Sequence, residues 1–325
     1  MFSTEKKFGE WNLNGFGSAP ALLFEQIEST HSLMKVKAAA GDIAPGTLIV
    51  ADSQSAGRGR HERTWDSPAS KNLYFNILVP LDGIAPGSFA QVTQVTALTF
   101  AEVFNAMGEQ SNGAPAGDKN GATVGENSDK DCVPAGDNGE RITVKWPNDI
   151  LFGKSKFCGI LAEIVFVPAQ SNPAATPASS TASCATAAPQ KKPALSLGVG
   201  INVNSDPADY AHLGRSVTTL KAIFKKQINR EKLLCALVAS LERAIGQFKA
   251  FGISPWVNAW RKMDQFIGCR GTIVVNNNCT DANRNSGEGS IKKSGCIMNM
   301  NPDGSLLFKT DDGEVQTVYS ADLEI

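Results

Sequence analysis

Five short apolar segments, rich in Val, Ile and Leu, set the pattern of the first two thirds of the sequence and predict β-strands. Residues 87–107, between the second and third segments, place apolar side chains at helical spacing, and residues 230–251 do so over a longer stretch. Asn229 is the predicted N-cap of that second helix and Gly252 its predicted end. These elements together predict a domain that mixes helices and strands and extends to residue 267. The five predicted strands cover residues 47–54, 72–81, 141–149, 156–167 and 194–204.

The pattern changes after residue 268. From there short apolar segments alternate with turn signals, of which the clearest are Pro-Asp-Gly at 302–304 and Asp-Asp-Gly at 311–313. Such a pattern is typical of a small all-β domain. We therefore predict two domains, residues 1–267 and residues 268–325.

Three segments do not resemble folded structure. Residues 108–140 are rich in Gly, Asn and Asp, residues 168–193 in Ala, Pro, Ser and Thr, and residues 276–290 in Asn and Gly. None of them contains enough apolar surface to offset the entropy of ordering the chain. We interpret all three as surface insertions between core elements.

Composition excludes several classes of protein. The 325 residues carry a formal net charge of −1, so bulk nucleic-acid binding by counterion release is not expected. The 7 cysteines include no C-x-x-C pair and the 3 histidines lie far apart, which disfavours a zinc site or a disulfide framework and favours reduced thiols. No run of about 18 apolar residues and no N-terminal signal core occur. We therefore expect a cytoplasmic protein without membrane association.

The stretch SAGRGRHERTWDS, residues 55–67, brings glycines, arginines and a tryptophan together in one predicted loop. Glycines at 57 and 59 allow close approach to a ligand, and the arginines that alternate with them supply planar cations. Trp65 offers a flat face for a ring. These features favour an anionic ligand with an aromatic base, such as a nucleotide. The alternative from this loop alone is an exposed polar segment with internal ion pairs.

The motif KWPND, residues 145–149, follows an apolar segment. Pro147 disfavours a helical conformation at Trp146 and ends the strand, so Lys145 lies near a strand end, where α/β folds bind ligands. A lysine there is able to bridge a carboxylate and a phosphate, which otherwise repel each other. The alternative is a surface lysine along a sheet edge, and we interpret Asp149 as a turn residue.

Four further positions are weak signals when taken singly. Gly159 interrupts an apolar strand, which indicates a bulge or a close approach of backbone. Asn202 ends another strand, where it is either a ligand contact or a turn former. Ser29 and Thr30 place two hydroxyls side by side, a pattern that is also common at a helix N-cap. The segment GVGINV, residues 198–203, lacks the third glycine of a dinucleotide-binding fingerprint and does not predict such a site.

Together and in this order, these motifs resemble the biotin–protein ligase family, over most of residues 22–325 outside the insertions. The resemblance implies an α+β fold, in which a mixed-sheet catalytic domain precedes a small SH3-like β-barrel domain. It implies a ligase that condenses biotin with ATP to biotinyl-5′-AMP, with Mg²⁺, and then biotinylates a lysine of a biotin carboxyl-carrier domain. The motifs that carry the resemblance are Ser29-Thr30, Gln54 with Gly57 to Arg60 and Trp65, residues 145–149, Gly159 with Glu163, and residues 200–202.

The resemblance also implies roles for individual residues. Lys145 and Arg60 are the expected catalytic residues, and no resident metal ligands are expected. The biotin-binding residues implied are Ser29, Thr30, Gln54, Gly57, Arg58, Arg60, Lys145 and Gly159. The nucleotide-binding residues implied are Arg58, Arg60, Arg63, Trp65, Lys145 and Asn202. Two positions depart from the usual family pattern, His31 and Cys158, and we expect both to alter the rim of the biotin site.

Other functions of the same fold remain open at this point. A lipoate or octanoate ligase or transferase is the main alternative, although the pairing of the two diagnostic motifs disfavours it. A scaffold without catalysis requires damage at Arg60 or Lys145, and both are intact. A DNA-binding regulator is disfavoured because only about 20 residues precede the catalytic pattern. A homodimer is compatible with the resemblance but nothing in the sequence requires it.

Overall fold

A computed structural model of the chain describes residues 7–61, 63–112, 140–168, 191–276 and 290–325, so most of each predicted insertion lies outside the described residues. The first sheet comprises β1 (Ala21–Ile27), β2 (Leu48–Gln54), β3 (Leu73–Pro80), β4 (Ile142–Lys145), β5 (Asp149–Phe152), β6 (Ser155–Pro168) and β7 (Lys191–Ile201). The helices are α1 (Thr30–Ala40), α2 (Gln91–Asn112), α3 (Leu220–Phe224), α4 (Arg230–Phe251) and α5 (Ser254–Met263). The second sheet comprises β8 (Arg270–Asn276), β9 (Ser290–Met300), β10 (Leu306–Thr310), β11 (Val315–Val318) and β12 (Asp322–Glu324).

The two sheets confirm the predicted α+β class. The first sheet has the strand order β1-β2-β3-β7-β6-β5-β4 and is mixed, because β1 and β2 are parallel whereas β2 and β3 are antiparallel. The second sheet has the order β11-β10-β9-β8-β12, and its strand pairs are antiparallel. The SH3-like character of this second sheet and the domain boundary at residue 267 stay predictions.

The predicted long helix is confirmed at both ends. Asn229 caps α4, since its Oδ1 accepts a hydrogen bond from the backbone of Lys232 at 2.9 Å. Gly252 follows the helix with φ +63°, a conformation that glycine adopts without strain. The predicted strand 141–149 is wrong in one respect: it is two strands, because a turn at residues 146–148 separates β4 from β5.

The predicted insertion boundaries are also wrong by a few residues. Helix α2 continues to Asn112, inside the segment predicted as unfolded from residue 108. Strand β6 includes Pro168, and β7 begins at Lys191 rather than after residue 193. The physical reason is that helices and strand pairs propagate beyond their apolar cores, since each added residue gains a hydrogen bond once the element has formed.

The described chain forms two compact units, and each unit is built from three separate stretches of the sequence. Unit one comprises the described residues of 1–83, 160–201 and 229–238. In it, α1 begins at the cap Ser29 and ends at Gly41, whose φ is +79°. One apolar cluster joins α1 to the neighbouring strands, and it contains the buried residues Met34, Ala38, Ile49, Leu78, Val165, Val167 and Ala194.

Unit two comprises the described residues of 84–159, 202–228 and 239–325, so it includes the entire second sheet. The turn between β9 and β10 is attached to the rest of this unit by hydrogen bonds to its backbone carbonyl groups. The Gly304 oxygen accepts hydrogen bonds from Gln94 Nε2 at 2.6 Å and from Trp146 Nε1 at 3.1 Å. Arg261 of α5 donates to the Met300 oxygen at 2.8 Å through its Nη2. The second sheet therefore contacts both α2 and the end of β4.

The described cysteines only partly agree with the expectation of reduced thiols. Cys158, Cys235 and Cys269 are free, whereas Cys296 takes part in a disulfide, so that expectation fails at residue 296. In the part of the chain that the structure describes, no helix combines the length and the apolar character of a membrane span.

Gly295 in β9 tests how tightly the second sheet is packed. A Cβ at this position would overlap the Lys309 carbonyl oxygen and lie 2.8 Å from the Phe308 ring. We expect Gly295→Ala to lower the free energy of unfolding by about 1–3 kcal/mol, because the crowded backbone has to shift. The control is Gly246→Ala in α4, which meets no atom within 4 Å and should stabilise the protein by up to about 1 kcal/mol. Urea titration measures both, and equal stability of the Gly295→Ala variant and the wild type would contradict this packing.

Candidate active site

The glycine–arginine loop, residues 55–67, folds back on itself between β2 and β3. The Gly59 N–H donates to the Arg63 oxygen at 2.7 Å, and the Trp65 N–H donates to the Gly57 oxygen at 2.8 Å. A Cβ at Gly57 would lie 2.7 Å from the Ser67 hydroxyl, so only glycine fits there without displacement. The loop is a short hairpin with its backbone packed closely at the base.

The three arginines of this loop differ in exposure. Arg58 and Arg63 are exposed, whereas Arg60 is half-buried. Each guanidinium offers hydrogen-bond donors in a planar fork that suits a carboxylate or a phosphate. The hairpin therefore presents several cations within six residues of chain.

Trp65 rests on the backbone of β7. A Cβ at Gly200 would lie 2.5 Å from the indole nitrogen of Trp65 and 2.8 Å from Cζ2, so the indole occupies the space that a side chain would need. Gly200 therefore admits a close approach to the backbone that a larger residue would block. In this structure the approaching group is the tryptophan of the glycine–arginine loop.

A polar cluster joins the start of α1 to the end of β2. The Thr30 N–H and hydroxyl both donate to Gln54 Oε1, at 2.8 and 3.1 Å. Gln54 Nε2 donates to the Ser67 hydroxyl at 2.9 Å, at the end of the glycine–arginine loop. Ser29 is buried beside them as the cap of α1, accepting from the His31 N–H at 3.2 Å. The role of Ser29 as a helix cap is therefore compatible with a role of the Ser-Thr pair in binding a ligand.

His31 lies beneath this cluster, buried inside unit one. Its Nδ1 is 3.2 Å from both Asn76 Nδ2 and Ser196 Oγ, and its Nε2 is 3.3 Å from Glu163 Oε2. Glu163 also pairs with Lys35. The hydrogen bond from His31 is the main cause that lowers the pKa of Glu163 to about 2. The side chain of His31 is thus held in an internal polar network.

Lys145 is the last residue of β4, as the motif predicted. Asp149 faces it across the strand pair, but the Asp149 carboxylate pairs with Lys156, Nζ to Oδ1 at 2.6 Å. The Lys145 ammonium lies 5.7 Å from the centre of the Phe266 ring. Burial lowers the pKa of Lys145, opposed in part by the charge of Asp149. The site therefore holds a desolvated cation at a strand end.

Asp264 fixes the backbone next to Lys145, and sequence reasoning missed it. This buried carboxylate accepts from Trp260 Nε1 at 3.1 Å, from the Phe266 N–H at 2.9 Å, and from the Trp146 backbone. Burial raises its pKa to about 6, although these hydrogen bonds and the charge of Lys145 oppose the rise. An aspartate at the end of a helix with two tryptophans gave no signal of a contact with the lysine motif.

Two further candidates lie in unit two. Gly159 of β6 pairs in register with Asp149, one strand away from Lys145. Asn202 is buried, and its Nδ2 donates to the Thr218 oxygen at 3.3 Å, so its amide anchors the segment that leads into α3. Cys158, beside Gly159, is completely buried, which raises the pKa of its thiol.

The predicted site residues thus fall into two groups. Lys145, Gly159 and Asn202 lie in unit two. Among the described residues no group of three or more His, Cys, Asp or Glu side chains is arranged to hold a metal ion. The group in unit one consists of Ser29, Thr30, Gln54, Gly57, Arg58, Arg60, Arg63 and Trp65.

Comparison with known proteins finds similar sequences over most of the chain. Residues 23–171 match the Biotin/lipoate A/B protein ligase family. The bifunctional ligase/repressor BirA of Bacillus subtilis is 23% identical over 305 residues, 94% of this chain and 74% of that protein. BirA of Escherichia coli is 25% identical, over 72% of this chain and 57% of its own length. The biotin–[acetyl-CoA-carboxylase] ligase of Paracoccus denitrificans is 26% identical, over 67% of this chain and 72% of that protein.

The same fold occurs in a solved structure. The biotin protein ligase from Aquifex aeolicus in complex with biotin and ATP has a TM-score of 0.62 and 21% identity, and the match covers 94% of this chain and 97% of that one. This chain therefore resembles the biotin/lipoate protein ligase family over the matched segment and shares its fold with the solved ligase. The relatives from Mycobacterium tuberculosis and Paracoccus denitrificans and this solved structure are biotin–protein ligases by name.

Replacing Asp264 by Asn tests the environment of the Lys145 corner. With a pKa of about 6 instead of 3.8, the folded wild type binds a proton that the unfolded chain releases, so its stability falls as pH rises between these values. Asn does not titrate. The excess stability of wild type over Asp264→Asn should therefore shrink from about pH 4 to about pH 7, by on the order of 2–3 kcal/mol. Urea titrations at both pH values measure it, and an excess that grows with pH would contradict the burial argument.

Proposed function

We propose that this protein activates biotin with ATP and transfers it to a lysine of a biotin carboxyl-carrier domain. A biotin carboxylate oxygen attacks the α-phosphorus of ATP, and the bond to pyrophosphate breaks. The carrier lysine amine then attacks the acyl carbon of biotinyl-5′-AMP, the acyl–phosphate bond breaks, and AMP leaves. The observation that carries the proposal is Lys145, a half-buried cation at a strand end whose facing carboxylate is already paired with Lys156.

The polar cluster of unit one suits the ureido ring of biotin. A urea needs both donors and acceptors, and the hydroxyls of Ser29 and Thr30 and the amide of Gln54 offer both. Thr30 and Gln54 already hold each other at 2.8 Å, so the groups are oriented before a ligand arrives. The dithiolane ring of lipoate has no comparable hydrogen-bonding groups, and a cluster of polar side chains would lose hydrogen bonds against it. This favours biotin over lipoate.

The cations serve the phosphate chemistry in this proposal. Lys145 holds the biotin carboxylate and the reacting phosphate oxygen, while Arg58 and Arg60 compensate the charge of the phosphates. At about 4 Å in a partly buried site, one such charge pair is worth on the order of 4 kcal/mol before desolvation. Holding two anions together also removes the entropy of their encounter from the barrier. The arginines and Lys145 thereby favour the crowded transition state.

The glycine–arginine loop protects the intermediate in this proposal. A mixed anhydride is hydrolysed by water, so a loop that covers it raises the share that reaches the carrier. Trp65 is assigned to the adenine and Asn202 to the adenosine. Gly159 is assigned to the wall of the valerate channel and Arg63 to the nucleotide.

Mg²⁺ fits the proposal as a companion of the nucleotide. Magnesium is commonly held by substrate phosphates, waters and one or two carboxylates, and does not need a protein cage. When bound, it would neutralise charge on the phosphates. A cytoplasmic location and a homodimer belong to the proposal as expectations.

Biotin-dependent release of pyrophosphate from ATP tests the proposed reaction. We expect the wild type to release pyrophosphate with biotin and not with lipoate. Lys145→Ala should lose at least about 100-fold in rate, since it removes a cation that stabilises the transition state. The control is Lys154→Ala, an exposed lysine in the turn between β5 and β6, which should retain wild-type rates.

Other results of this assay would count against the proposal. Release with lipoate or octanoate but not biotin would support the alternative acyl substrate of the same fold. No release with either acid, together with no biotin binding by calorimetry, would support a scaffold without catalysis.

A methyl group at Gly200 tests the role of Trp65. Gly200→Ala should push the indole away from β7, because the new Cβ would lie within about 3 Å of it. Stacking of a base on an aromatic ring contributes about 1–3 kcal/mol, so we expect the KM for ATP to rise about 5-fold or more. The KM for biotin should change less. Gly198→Ala, on the same strand but facing Asn76, is the control, and equal ATP KM values for the two variants would contradict the role.

A further inference from the structure

The two ends of the glycine–arginine loop are tied together by one ion pair. Arg230 Nη1 donates to Asp52 Oδ1 of β2 at 2.8 Å and to the carbonyl oxygen of Asn72, just before β3, at 3.1 Å. Ser70 donates to the other oxygen of Asp52 through its N–H at 3.0 Å and its hydroxyl at 2.9 Å. The entrance and the exit of the loop therefore converge on the Asp52 carboxylate.

The pair is buried, which gives it a fixed geometry. The side chain of Arg230 is 7% exposed and that of Asp52 is 12% exposed. Charges in such a place are retained only when each meets a partner and satisfied hydrogen bonds. All the donors and acceptors described above belong to unit one.

The position of Arg230 is unfavourable for the helix itself. It is the first residue of α4, where the helix dipole disfavours a cation. Ser70 is also strained, with φ at +64° although it has a side chain. The helix dipole and the backbone preference of serine therefore do not explain why Arg230 and Ser70 occupy these positions. Their shared contact with Asp52 does explain both.

An N-terminal aromatic residue completes the arrangement. The Trp11 ring is centred 5.1 Å from the Arg230 guanidinium carbon, and Trp11 is buried. A guanidinium over an indole face is attracted by the ring and shielded from water. The next residue of α4 contacts the same segment, since Glu231 Oε1 accepts from the Asn12 N–H at 2.9 Å.

We propose that Asp52 and Arg230 are positioning residues for the glycine–arginine loop, and that Trp11 positions Arg230. The inference rests on the proposed function and extends it, because the N-terminal segment that includes Trp11 becomes part of the apparatus that retains the acyl-adenylate. A loop with loosened ends opens more often and releases biotinyl-5′-AMP, which water hydrolyses. Pyrophosphate is then released without biotinylation of the carrier.

The ratio of pyrophosphate released to carrier lysine biotinylated measures this coupling. We expect a ratio near one for wild type and a ratio at least about 5-fold higher for Trp11→Ala and Asp52→Asn. The KM for biotin should rise more than kcat for pyrophosphate release falls. Trp11→Phe, which keeps a ring over the guanidinium, should restore most of the coupling. Leu13→Ala removes another buried side chain of the same segment and should leave the ratio unchanged.

Two results would overturn the inference. One is a ratio for Trp11→Ala equal to that of the wild type. The other is an equal rise in Leu13→Ala and Trp11→Ala, which would indicate general loosening of the segment. Asp52→Glu serves where Asp52→Asn does not fold, since it keeps the charge but displaces it.

Failure of the proposed function has a different signature. If the wild type releases no pyrophosphate with biotin, tryptic cleavage after Arg58, Arg60 and Arg63 still measures opening of the loop. Faster cleavage in Trp11→Ala than in Leu13→Ala would then support the positioning role on its own. Equal cleavage rates in wild type, Trp11→Ala and Asp52→Asn would overturn it.

Discussion

The corner at Trp146 is the constraint on which the geometry of unit two depends. Its indole N–H reaches the Gly304 oxygen in the second sheet, and its backbone N–H reaches the Asp264 carboxylate after α5. Both contacts act on the residue that follows Lys145. The second sheet and α5 therefore take part in fixing the direction of the Lys145 strand end. A buried carboxylate with a raised pKa is unfavourable in its ionised form, and its persistence here is understandable because it accepts three N–H groups at once.

In unit one the comparable constraint is the space left by glycines. The indole of Trp65 reaches the backbone of β7 only because Gly200 has no Cβ, and the base of the hairpin closes only because Gly57 has none. Glycine alone would make this loop loose, since it loses the most conformational entropy on ordering. The Gln54–Ser67 hydrogen bond and the Asp52–Arg230 pair offset that loss from the two ends. This combination of a flexible middle and fixed ends suits the proposed role of the loop in enclosing a ligand.

Local pattern in the sequence predicted much of the fold, and its failures share one cause. Helix α4 and its cap follow from spacing and from Asn229, and Lys145 at a strand end follows from the proline two residues later. These signals lie within a few residues of the feature that they predict. The Arg230–Asp52 pair joins residues 178 positions apart, and no local pattern connects them. The motifs therefore predicted candidate site residues, but they did not predict the residues that hold these candidates in place.

Lys145 and Lys156 show how the same residue type acquires different roles on neighbouring strands. Lys156 has the Asp149 carboxylate at 2.6 Å, so its charge is compensated before any ligand binds. Lys145 faces the same carboxylate across the strand pair, is buried further by Phe266, and has a lowered pKa. Burial of a cation with incomplete compensation is unfavourable, and an arriving carboxylate or phosphate relieves it. The free-energy cost of burying this cation is present before a ligand binds. It disappears in the complex, where the negative charge of the ligand lies beside Lys145. This difference favours Lys145 over Lys156 for the proposed phosphate chemistry, because an anion gains more from the lysine whose charge is not already compensated.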